Sequence, residues 1–174
     1  MNRATVYREP ERKIRGYKTT CRKCETEEDL KDMIRLASEN INGASRSGNA
    51  EVYGNQIYKP EELLTNPDRI ADQLIDEQRC ILGEEKSRSR RVNIATYMID
   101  EKKYNINKED GVKLAQGLLD TYSEYSSIVT LTERKGILRI DHISSNLCEN
   151  GLRMTQVFKP NTLYNLYRNL KGDK

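Results

Sequence analysis

The stretch that decides the fold runs Ile128-Val129-Thr130-Leu131-Thr132, then Glu133-Arg134-Lys135-Gly136, then Ile137-Leu138-Arg139-Ile140-Asp141-His142-Ile143. Two runs rich in β-branched residues flank four residues of turn chemistry, which is the pattern of an antiparallel hairpin. Gly136 suits the left-handed position of a bulged turn, because it has no Cβ to clash there.

Beyond this hairpin, residues 152–158 read as a further strand behind Asn150-Gly151. Pro160-Asn161 then opens a last helix carrying Leu163, Leu166, Tyr167 and Leu170. Before it lies a helix capped by Asn107 and Asp110, with Val112, Ala115, Leu118, Leu119 and Tyr122 on one side. Residues 92–99 form a strand by composition, and 103–106 is expected to pair back across the turn at 100–102. Further upstream, Ile70, Ala71, Leu74, Ile75, Ile81 and Leu82 make a helical face between Asn66-Pro67-Asp68 and Gly83. Residues 60–64 supply one helical turn, and 51–58 read as a small hairpin turning at Gly54-Asn55. Thr26 with Asp29 opens a helix whose stripe is Leu30, Met33, Ile34, Leu36, Ala37 and Ile41, ending at Asn42-Gly43.

Residues 1–24 show no sustained period and contain Pro10 and Gly16, so they read as an extended arm. The order is arm, helix, hairpin, helix, strand or hairpin, helix, three strands, helix. Helices do not alternate with single strands, which favours an α+β class with an antiparallel sheet and helices packed on one face. The division is an arm over 1–24 and one domain over 25–174, mainly helical over 25–90 and sheet-containing over 91–174.

The helix–three strands–helix order from Asn107 onward resembles double-stranded-RNA-binding domains in length and element order. That family's second helix opens with a Lys-rich N-terminus, whereas this one opens Pro160-Asn161-Thr162-Leu163-Tyr164. A winged-helix reading makes 108–122 the reader and 128–143 the wing, with Arg134 and Lys135 at its tip. Glu109, Asp110 and Asp120 put acid where such a reader meets DNA.

The 174 residues are 36% apolar and 33% charged, enough for one core. Phe158 is the sole Phe and Trp is absent, so ten Tyr carry the aromatic surface. No apolar run approaches a membrane span, and no apolar segment follows the N-terminal charges as in a secretory signal. The chain reads as cytoplasmic, or nuclear in a eukaryote or its virus. Cys21 and Cys24 form a CxxC without a second ligand pair, and His142 is the sole histidine, so no metal or other cofactor is expected. Cys80 falls in a helical pattern and reads as a small buried hydrophobe.

Net charge is only +3, but it is unevenly spread. The arm carries Arg3, Arg8, Arg12, Lys13, Arg15, Lys18, Arg22 and Lys23 against Glu9 and Glu11, with Tyr7 and Tyr17 interleaved. A second cluster is Lys86, Arg88, Arg90 and Arg91. Such cations neutralise phosphates, and the tyrosines stack on bases. These residues are the candidate nucleic-acid contacts. Asp68, Glu84 and Lys86 match a loose metal-nuclease pattern, but Asp68 begins a helix and Glu84 follows a helix stop. His142 follows Asp141 and precedes Ser144 and Ser145. Adjacent strand residues face opposite ways, so no Ser-His-Asp device is expected and no catalytic residue is assigned. The expected function is a nucleic-acid-associated accessory protein. The alternative is a non-enzymatic assembly or regulatory protein whose partners are other proteins in a larger complex.

Overall fold

The computed structural model describes residues 5–8, 18–24, 26–45, 50–83, 90–145, 147–148 and 162–172. At its centre are strands β5 (Ser127–Arg134) and β6 (Ile137–Ser145), paired from Arg134↔Ile137 to Ser127↔Ser144. Only Lys135 and Gly136 lie in the turn, and both have positive φ, 52° and 77°. The turn is therefore the two-residue kind, not a bulged one. Positive φ at both central residues matches the twist of the flanking strands.

The far edge of β6 is taken by β4 (Arg90–Asp100), in the register Ile94↔Ile143 and Tyr97↔Ile140. Beyond β4 lie β2 (Lys18–Cys24) and β1 (Thr5–Arg8), while β3 (Glu51–Asn55) pairs with β5. The sheet order is β1-β2-β4-β6-β5-β3, and every pairing is antiparallel. Two stretches of the arm are thus strands of the sheet.

This order corrects several expectations. Residues 51–58 do not fold back on themselves, because β3 pairs along the open edge of β5 with Tyr53 opposite Val129. Residues 103–106 do not return as a strand, because the Asn105 and Ile106 amides bond back to the Lys102 and Glu101 carbonyls rather than across to β4. The chain instead makes a helical turn, α3 (Glu101–Tyr104), capped by Asp100, whose carboxylate accepts from the Lys103 amide at 3.0 Å. The strand expected over 152–158 lies outside the described residues. The slot beside β6 that a helix–three strands–helix unit needs is filled by β4, and β5 and β6 are central strands rather than a wing.

The α+β class with an antiparallel sheet holds, and the layering goes further: helices cover both faces. Helices α1 (Glu27–Ser45) and α2 (Pro67–Leu82) bury Leu30, Ile34, Ile70 and Leu74 against Val92, Ile128 and Ile143. Helices α4 (Lys108–Thr121) and α5 (Thr162–Leu170) bury Leu114, Leu118 and Leu163 against Tyr97, Val129 and Ile140. Alternate residues of β4, β5 and β6 feed the two cores, as the pleat requires. Near-continuous burial along β5 and β6 needs a cover on each side.

Both predicted capping boxes form. The Asp29 amide donates to the Thr26 hydroxyl at 3.1 Å and the Thr26 amide to Asp29 at 3.2 Å; Asn107 and Asp110 reciprocate at 2.9 and 3.0 Å. Helix α1 runs on through Gly43 to Ser45, where the Asn42 amide group ties it to the Leu64 carbonyl at 3.0 Å. Leu36 is 53% exposed and off the buried stripe. Cys80 is exposed as well, because the α2 stripe is Ile70, Ala71, Leu74, Ile75 and Gln78.

Candidate nucleic-acid interface

The register of β1, β2 and β4 assembles the basic residues. Arg8 lies on β1, Lys18, Arg22 and Lys23 on β2, and Arg90 and Arg91 open β4. Arg8 is opposite Lys18, which is in turn opposite Thr96. Lys23 is opposite Arg91, Cys24 opposite Arg90, and Arg22 opposite Val92. Two basic segments far apart in the chain therefore share one margin of the sheet. Arg3, Arg12, Lys13, Arg15, Lys86 and Arg88 lie outside the described residues.

A second basic feature lies on the same sheet and was not assembled by reading the sequence. The α1–α2 layer covers the end of its face near Val92, Ile128 and Ile143. Toward the other end that face carries Met98, Arg139 and Thr132, mutually in register. There a groove of about 350 Å³ is lined by Ala44, Met98, Thr132, Arg134, Lys135, Ile137 and Arg139. Met98 is 46% exposed, unusual for an apolar residue on an inner strand. Arg139 is held from below: its Nε and Nη2 donate to Asp141 at 2.8 and 3.1 Å, and the Thr96 hydroxyl donates to the same carboxylate at 2.7 Å. The buried Asp141 charge is thereby paired and hydrogen-bonded, as burial demands. The period-2 alternation of 137–141 places Arg139 with Ile137 and Asp141, but the matching strand position Met98 comes from 41 residues away.

The other candidate chemistry disperses. Asp68 sits in the first turn of α2, where Arg35 of α1 donates to it at 2.6 and 3.0 Å and holds its carboxyl below the usual carboxylate range. Glu84 and Lys86 lie outside the described residues. His142 is wholly buried on the α4 side against Tyr122, and burial pushes its pKa down to about 3. Asp141 is on the opposite face of the strand. Among the described residues no three His, Cys, Asp or Glu side chains gather as a metal site, and no helix is long and apolar enough to cross a membrane.

No protein-family model, curated protein or solved structure matches this chain.

Proposed function

We propose that this chain is a nucleic-acid-associated accessory protein that binds the phosphate backbone along β1, β2 and the start of β4. The observation that carries the reading is the cross-strand register, in which Lys23 stands opposite Arg91 and Arg8 opposite Lys18. By the alternation of the pleat, Arg8, Lys18, Arg22 and Arg90 hold positions on one face of this margin, and Lys23 and Arg91 on the other. A polyanion lying along the margin releases counterions and requires no base sequence.

Fluorescence anisotropy with short single- and double-stranded DNA and RNA, over a salt series, tests the reading. Binding is expected to be sequence-independent and to weaken steeply with salt. Replacing Arg88, Arg90 and Arg91 with Ala should flatten the slope of log affinity against log salt by up to about 2.7 on duplex DNA, roughly 0.9 per lost contact. Absence of binding to every oligonucleotide at low salt, by folded full-length protein, sinks the reading and leaves a protein partner for the basic margin.

A further inference from the structure

We infer that the groove over Met98 and Ile137 holds unstacked bases of a single strand, so that the chain prefers single-stranded to duplex nucleic acid. This rests on the reading above and narrows its substrate.

The groove combines two features that an ordinary solvated sheet end does not need. Its floor is apolar, from Met98 and Ile137 beside Ala44. Its lining also carries three cations, with Arg139 beside Met98 on the sheet and Arg134 and Lys135 toward the hairpin turn. Among the described residues neither Arg134 nor Lys135 makes an ion pair, and the bonds to Asp141 use two of the five N–H donors of Arg139. An occupant that suits both parts has a flat apolar face and a negative charge beside it. A nucleotide in an unpaired strand has that form, with its base on the floor and its phosphates at the cations. In a duplex the base faces are stacked away, and only the phosphates are left to meet protein.

Continuity with the basic margin favours a polynucleotide over an isolated anion. Met98 is two residues along β4 from Thr96, which is opposite Lys18, which is opposite Arg8. A strand leaving the groove toward β1 therefore crosses further cationic positions, which suits a chain of regularly spaced phosphates.

The test compares binding of a labelled oligothymidine and of a duplex of equal length to full-length protein, with polyglutamate as competitor. One variant, Met98→Ala with Ile137→Ala, removes the floor and keeps every charge; Met98→Ala alone serves should the pair melt early. A second variant, Arg134→Ala with Lys135→Ala, removes lining charge. Wild-type protein should bind the single strand at least about tenfold more tightly. The floor variant should lose about fivefold or more on the single strand and nothing on the duplex, since base contacts vanish but phosphate contacts remain. The charge variant should flatten the salt dependence on the single strand. Equal binding of both forms with an inert floor variant overturns the groove and leaves the basic margin standing. Floor-dependent competition by polyglutamate overturns it in favour of an acidic peptide. No binding to either oligonucleotide removes the nucleic-acid reading and the groove together.

Discussion

His142 and Tyr122 meet ring to ring at 5.3 Å between centroids, their planes inclined at 52°, where β6 passes beneath the end of α4. The imidazole is fully buried, and desolvation lowers its pKa to about 3 from an ordinary 6.5. The unfolded chain therefore takes up a proton between pH 6.5 and 3 that the folded chain refuses. Stability is complete above pH 6.5 and falls as the pH drops through that window, by about 2 kcal/mol between pH 7 and 5. Thermal melts should show the midpoint falling several degrees over that range. His142→Leu should flatten this dependence while lowering stability at pH 7 only by its repacking cost. An unchanged pH profile in that variant contradicts a neutral buried histidine.

Glu101 shows the opposite sign. Burial, then its hydrogen bond to Glu133 and the neighbouring negative charges, raise its pKa above the ordinary carboxylate value. The folded protein holds this proton to higher pH than the unfolded chain. Its contribution is therefore present in acid and lost as the pH rises through the folded pKa. Glu101→Gln should raise the melting midpoint at pH 7 and leave it nearly unchanged at pH 4. A lower midpoint at pH 7 would show that the ionised carboxylate is needed.

Arg35 joins the two helices of one layer, reaching Glu28 at 2.9 Å and Asp32 at 3.1 Å on α1 as well as Asp68 on α2. The cluster is half exposed, so salt screens it. Asp68→Asn should lower the melting midpoint slightly at low salt and by less at high salt. It should leave oligonucleotide binding intact, because Asp68 serves Arg35. Loss of a divalent-metal-dependent cleavage activity in this variant would give Asp68 a different role.

Gly54 marks a close approach on β3. A Cβ at this position would stand 2.7 Å from two carbons of the Pro60 ring, which has no flexible end to move aside. Gly54→Ala should cost about 1–3 kcal/mol as the segment shifts away from the sheet. Chemical denaturation would measure it, and a change within a few tenths of a kcal/mol refutes the contact.

What the sequence by itself determined is local. Thr26 with Asp29 and Asn107 with Asp110 specify helix starts, because a capping box closes within four residues. The stripes of α1, α2 and α4, the Pro67 start and the Gly83 stop follow in the same way, as does the hairpin around Lys135-Gly136. Pairing between distant segments was decided by the tertiary structure. Residues 51–58 and 103–106 each satisfy a hairpin pattern, yet one became an edge strand and the other a helical turn. Residues 51–55 took the open edge of β5, more than 70 positions away, whereas 103–106 closed locally onto Glu101 and Lys102. The basic segments of the arm and of β4 were visible as charge, but their meeting required β2 to take the edge of β4 in one register. The groove is further from local reach still. Met98 stands beside Arg139 because β4 pairs with β6, and among the described residues α1 and α2 reach only part of that face.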